Sequence, residues 1–244
     1  PPRRGASECS VWLWSTCVLC HRNGPSPCAA CVDALRPLAA GGLEPLPNGL
    51  DGAAALCRYE GIATGLVTSL KFRHHRDAVG AIGAALAVMG GPWLEQATIC
   101  WVPAAPANRA RRGFDQGELL ATATARAASD RLGQRIPSRA LLRREPSDLG
   151  ESGQTPGQTG RTRVERLVGP VLRPTMAVPH RVVVIDDVTT TGTSLERAAM
   201  ALRSAGAGEV YALCVAATPV GATVSRVDDA DDGDRARRPG SPHR

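Results

Sequence analysis

The stretch that most restricts this chain is Arg181-Val-Val-Val-Ile-Asp-Asp-Val-Thr-Thr-Thr-Gly-Thr-Ser-Leu195. Val182 to Ile185 are consecutive β-branched residues, an apolar run that fits a strand buried on both faces of a parallel sheet. Asp186 and Asp187 stand where that strand should end. Thr189, Thr190, Thr191, Gly192, Thr193 and Ser194 then lead into Leu-Glu-Arg-Ala-Ala-Met-Ala-Leu-Arg-Ser, which reads as a helix. A hydroxyl-rich turn at a helix N-terminus offers unpaired N–H groups and the positive end of the dipole, and so a place for an anion. Carboxylates that accept from hydroxyls, beside donors that hold phosphate, suit a phosphorylated sugar. The bland alternative is a strand–turn–helix whose turn is merely polar. A Walker B strand also ends in acids, but the chain has no G-x-x-x-x-G-K-[ST] loop to accompany one.

A second constraint lies near the N-terminus. Cys17-Val-Leu-Cys20 and Cys28-Ala-Ala-Cys31 are two C-x-x-C pairs separated by seven residues. That spacing supplies four thiolates for tetrahedral Zn²⁺ in a closed structural site. Gly24, Pro25 and Pro27 make the connecting turn, and His21 reads as a bystander. Such a centre folds a segment too short to build its own core. Cys9, Cys57, Cys100 and Cys214 are scattered among apolar neighbours and read as inert core thiols.

At 244 residues the chain accommodates one α/β core and a small appendage. No apolar run approaches the roughly 20 residues of a membrane span, and Pro1-Pro-Arg-Arg-Gly offers no signal-peptide core, so no membrane insertion and a cytoplasmic location are expected. The net charge of +6 comes from 28 Arg and a single Lys, Lys71. A modest basic excess fits anionic ligands such as phosphates or nucleic acid. With aromatics at 3%, a base-stacking platform is poorly supplied.

In chain order, residues 36–52 are dense in Pro and Gly and read as a linker holding at most one short strand. Ala55-Leu-Cys-Arg-Tyr-Glu-Gly reads as strand and turn. Ile62, Leu66 and Leu70 share one helical face, and a second helix is expected from Ala78 to Met89. Ala97 to Val102 is a predicted central strand stopped by Pro103. The segment 104–116 follows as a connection, and then a helix from about Gly117 to Leu132. Arg109, Arg111 and Arg112 gather positive charge at the strand's carboxyl end, where open α/β sheets place ligands; a solvated loop is the plainer account. Residues 143–170, with Arg143, Arg144, Gln154, Gln158, Arg161, Arg163 and Arg166, lack apolar periodicity and read as a mobile loop. A helix over Leu195–Ser204 ends at Ala205-Gly206, and Val210–Ala217 is a last buried strand. Residues 218–244, with their acidic and arginine runs, read as a disordered tail.

The acid pair and threonine turn resemble the ribose-phosphate motif of the type I phosphoribosyltransferases, which handle phosphoribosyl pyrophosphate (PRPP). The order of motifs is more specific. A cysteine knuckle, Tyr59-Glu-Gly…Leu70-Lys-Phe, Val102-Pro…Arg111-Arg-Gly-Phe-Asp-Gln116 and Asp186-Asp-Val-Thr-Thr-Thr-Gly-Thr193 together resemble the ComF (competence-protein) family over residues 17–217. Asp115 departs from that family's usual Asn; an acid there would weaken a phosphate contact or face solvent. The resemblance implies an α/β fold, a type I phosphoribosyltransferase-like parallel sheet flanked by helices. It divides the chain into a zinc-knuckle module (1–45), a phosphoribosyltransferase-like domain (46–217) and the tail.

The resemblance also implies site roles. Asp186 and Asp187 would take the ribose hydroxyls, and Thr189 to Ser194 the 5′-phosphate. Arg109, Arg111 and Arg112 would meet the pyrophosphate with its Mg²⁺, and Gln158, Arg161 and Arg166 would form a flap. Thr190 stands where many relatives carry an acid that serves the acceptor base, so the acceptor would bring its own nucleophile, such as ammonia or an amine. Two classes of function follow. One is phosphoribosyl transfer linked to DNA uptake or nucleotide metabolism. The other is a non-catalytic DNA-uptake accessory, using the pocket for sensing or for docking a helicase-type protein or single-stranded DNA.

Overall fold

A computed structural model describes residues 16–36, 39–70, 76–145 and 171–218. Lys71, the 146–170 segment and the region beyond residue 218 lie outside these.

β6 (Arg181–Thr189) runs through the middle of the sheet, and Val182 to Ile185 are fully buried. Strand alternation sends these residues into two separate apolar layers. Val183 and Ile185 join a cluster with Leu66, Leu86 and Leu120, whereas Val182 and Val184 join one with Leu141, Leu195 and Leu202. A continuous β-branched run is therefore a strand covered on both sides, as the sequence predicts.

The sheet has the order β1 (Ala39–Gly42), β2 (Gly52–Arg58), β7 (Glu209–Ala217), β6, β3 (Thr98–Trp101). β2, β7, β6 and β3 are parallel, and β1 pairs with β2 antiparallel. β1 is the short strand foreseen in the Pro/Gly-rich stretch. It lies N-terminal to the expected boundary at residue 45, yet it pairs with the main sheet. The helices α2 (Ile62–Leu70), α3 (Arg76–Gly90) and α5 (Gln116–Leu132) cover one face, and α6 (Thr193–Ser204) covers the other. A short helix, α1 (Ala29–Leu35), precedes β1. Among the described residues no helix is long and apolar enough to cross a membrane.

Two expectations are corrected. The segment after β3 is not simply a connection, because Pro106–Arg112 forms α4, with Pro106 in its first turn and Gly113 closing it at φ 74°. Proline pre-sets the φ of a first turn, and glycine accepts the left-handed closing position without strain. The start of the arginine-rich stretch is not loop either. Leu142–Arg144 (β4) and Leu172–Pro174 (β5) form an antiparallel pair.

Connectivity locates the functional edge. From β3 the chain passes through α5 to residues 137–139, which extend the sheet outward: Ile99 N–H donates to the Pro137 carbonyl (2.8 Å) and Arg139 N–H to that of Ile99 (2.9 Å). From β6 the chain passes through α6 to β7, on the other side. The crevice between the carboxyl ends of β3 and β6 is thus a topological switch point, where open α/β sheets bind ligands.

The two glycines in α3 test the packing that supports β6. A Cβ on Gly83 would lie 2.6 Å from the Ala123 Cβ and 2.7 Å from its carbonyl carbon on α5, whereas one on Gly80 would meet nothing within 4 Å. Gly83→Ala should destabilise by about 1–3 kcal/mol through overpacking. Gly80→Ala should stabilise by roughly 0.5–1 kcal/mol through helix propensity. Urea unfolding of both variants checks this; equal effects would show that α3 and α5 do not cross closely.

Candidate functional site

Asp186, Val188 and Thr189 through Ser194 line one open pocket at the end of β6. Backbone demands shape it. Asp187 N–H donates to Asp186 Oδ1 (2.9 Å) and Val188 N–H to Asp187 Oδ1 (2.8 Å), so each acid ties down the residue after it. Thr189 is buried, and its carbonyl accepts from Thr218 N–H at the end of β7 (2.9 Å). Thr191 and Thr193 share a hydroxyl hydrogen bond of 2.8 Å.

Gly192 is the N-cap of α6 at φ 78°, and no side chain caps that end. First-turn N–H groups and the helix dipole are therefore available to an anion. A Cβ on Gly192 would come within 2.9 Å of Pro47 Cγ. Pro47 opens a strap that runs along α6. Asn48 donates to Glu196 Oε1 through its backbone N–H (3.1 Å) and its side-chain amide (2.7 Å). Arg203 donates to the Gly49 carbonyl (3.2 Å) and to Asp51 Oδ2 (2.6 Å). Nothing in the local sequence signals this strap, since its partners lie about 150 residues away.

Burial pushes the Asp186 carboxyl well above the usual range and the charge of Asp187 adds to the rise, while the Asp187 N–H and, after it, Arg144 oppose it. Cys214, its register partner on β7, is fully buried, and burial followed by the two acids raises its thiol well above the usual range. Burial likewise pushes Cys57 up to about 11 and raises Cys100, in keeping with inert core thiols.

The predicted residues are only partly brought together. Asp186 and the threonine turn share the pocket with Asp187 adjoining in sequence, whereas Arg109, Arg111 and Arg112 sit in the last turn of α4, beyond the end of β3. Gln158, Arg161 and Arg166 lie outside the described residues. Asp115 does not face solvent. It is buried as the N-cap of α5, Oδ1 accepting from Gly117 N–H (3.0 Å) and Oδ2 from Ala104 N–H (2.9 Å). Its acid thus joins the start of α5 to the turn after β3. Sequence reasoning grouped Arg144 with a loop, but its Nε donates to the Pro103 carbonyl (3.3 Å) at the crevice.

The thiols of Cys17, Cys20, Cys28 and Cys31 all lie within 4.8 Å of one another, with Cys20 and Cys28 sulfurs 3.7 Å apart. Tetrahedral Zn–S bonds of about 2.3 Å would place sulfurs roughly 3.8 Å apart, so the four thiols fit zinc. Burial opposes ionisation of Cys17, but the N–H groups of Cys20, Cys28 and Leu19 prevail and lower it to about 6; burial raises Cys31 to about 12. The knuckle docks on the main domain. Val18 is buried in the same cluster as Leu66, Val67 and Leu70, and Ser69 Oγ donates to its carbonyl (3.0 Å).

Residues 139–232 match the family model for the phosphoribosyl transferase domain, a span that holds the acid pair and the threonine turn. Fold and match together define a type I phosphoribosyltransferase-like α/β domain with a cysteine cluster that fits a zinc knuckle. Among solved structures, the allosteric regulatory enzyme of purine biosynthesis is 23% identical with a TM-score of 0.38, over 58% of this chain. A purine phosphoribosyltransferase from Pyrococcus horikoshii Ot3 is 18% identical with a TM-score of 0.33, over 58% of this chain and 74% of its own. The chain spans about a quarter (26%) of the length of the former. No curated protein matches the chain.

One zinc per chain is the expected result of elemental analysis on tag-free, metal-replete protein, and none would overturn the knuckle. Cys28→Ser should lose the metal and lower the unfolding midpoint. Val18→Ala should keep the metal yet cost about 1.5–3 kcal/mol, because it removes buried side-chain volume alone.

Proposed function

We propose that this protein binds PRPP and transfers its phosphoribosyl group with loss of pyrophosphate. The observation that carries the reading is that Asp186 and Thr189 to Ser194 line one pocket at the switch point, inside the span that matches the phosphoribosyl transferase family model. Asp186 and Asp187 would accept from the ribose hydroxyls. The turn and the uncapped start of α6 would hold the 5′-phosphate. Arg109, Arg111 and Arg112, across the crevice, would neutralise the departing pyrophosphate, whose Mg²⁺ would arrive with the donor. With an oxocarbenium-like transition state, positioning and charge neutralisation supply most of the catalysis.

The resemblance to ComF proteins adds a link to DNA uptake, and a helicase-type protein or single-stranded DNA as partner; these rest on the order of motifs. Thr190 favours a second reading. It is an exposed threonine on the pocket where many relatives carry an acid, so a pocket kept for sensing or partner docking would need no change there.

Titration of three folded variants with PRPP and with inorganic phosphate tests the pocket. Asp187→Asn removes a charged acceptor worth about 1.5–3 kcal/mol and should cost roughly 10- to 150-fold in PRPP affinity while sparing phosphate. Thr193→Val should weaken both ligands. Gly192→Val should be worse, since a side chain at that positive φ meets Pro47. If wild type binds neither ligand, the motif is a structural turn. If PRPP binds but no pyrophosphate is released with any amine or base, the sensing reading prevails.

A further inference from the structure

We propose that Asn48 is a positioning residue that keeps the start of α6 open to phosphate, by holding the Glu196 carboxylate on the strap instead of on the helix end. The inference deepens the phosphate-binding reading of the turn and rests on it.

Glu196 stands in an awkward place for an anion site. It lies in the first turn of α6, where its N–H donates to the Gly192 carbonyl at 2.9 Å. A carboxylate there is drawn to the positive end of the helix dipole and to the first-turn N–H groups, the same features a phosphate uses. Yet no side chain caps that end at Gly192, and Thr193 N–H reaches Thr191 Oγ1 only at 3.5 Å. The Glu196 carboxylate is engaged elsewhere. Its Oε1 accepts from the Asn48 N–H (3.1 Å) and from the Asn48 side-chain amide (2.7 Å). One strap residue thus gives two donors to one carboxylate oxygen, and the helix end need not supply them.

Asn48 is itself held from both sides. Pro47 is buried against the turn, its Cγ 2.9 Å from where a Cβ on Gly192 would lie. Gly49, at φ 80°, passes so close to α6 that a Cβ on it would lie 3.2 Å from the Ala199 Cβ. Leu50 is buried in the layer of Leu195, Ala199 and Leu202. Arg203 closes the far end on the Gly49 carbonyl and Asp51 Oδ2, and Asp51 Oδ2 also accepts from Val210 N–H at 2.7 Å. The strap is therefore seated by apolar burial and an ion pair that do not use the Asn48 side chain. Asn48 is exposed, so losing its amide leaves the strap in place and changes chiefly where the Glu196 charge sits.

The test titrates the full, zinc-loaded chain with inorganic phosphate and with PRPP, in wild type, Asn48→Ala, Glu196→Ala and the double variant. Asn48→Ala should bind both ligands about two- to fivefold more weakly, the size of a first-turn charge effect, because both present a phosphate to the turn. Glu196→Ala should lose no affinity, and the double variant should bind like Glu196→Ala. That rescue is what a merely structural role would not give: if Asn48 only stiffened the strap, its removal would cost the same with or without Glu196. Unchanged affinity in Asn48→Ala, or an equal loss on the Glu196→Ala background, would overturn the inference and leave the PRPP reading standing. Wild type that binds phosphate but not PRPP, with the rescue intact, would uphold the inference and sink the PRPP reading. Binding of neither ligand overturns both. Should Asn48→Ala not fold, Asn48→Ser takes its place in the same cycle and is judged by the same rescue.

Discussion

The site depends on β6 being covered on both faces. A strand with Val182 and Val184 in one apolar layer and Val183 and Ile185 in the other cannot slip by one residue without exchanging every contact it makes. That fixed register carries the chain to the rim at a set height, so Asp186 and Asp187 emerge where the two layers end. Polar residues become affordable only there. The bend that follows is then imposed by Gly192, whose positive φ and close approach to Pro47 leave no room for a side chain.

Much of this was legible because it is local. A run of β-branched residues, two acids, threonines and one glycine announce strand, rim and turn without reference to distant chain. The four cysteines are legible for the same reason, since ligand spacing is a local property. What was hidden is what other segments bring. The arginines of α4 read as loop charge because Pro106 and Gly113 mark a short helix that has no buried residues, so no apolar period betrays it. β4 and β5 are each three residues long and far apart in sequence, and neither shows a pattern until it is paired. Asp115 could be recognised as a polar departure, but its two-way capping of α5 and Ala104 needs the fold to bring those N–H groups together.

The rim also shows two electrostatic demands in opposition. The layer that orders β6 partly buries Asp186, and burial favours the uncharged acid. A ligand with several hydroxyls needs the charged form. Moving the acids outward would relieve the first demand but would separate them from the threonine turn. The arrangement instead keeps the acids at the edge of the core, beside the turn that shares their pocket.

The knuckle is part of the same construction. A 15-residue stretch from Cys17 to Cys31 cannot bury enough apolar surface to order itself, and four converging thiols offer metal binding as the substitute. Ordering the stretch fixes Val18, and Val18 belongs to the cluster that also contains Val183 and Ile185. The thiols and the central strand therefore lean on one apolar body, with α2 between them: Ser69 holds the Val18 carbonyl, while Leu66, Val67 and Leu70 fill the interior. The knuckle and β6 thus share one body of packing.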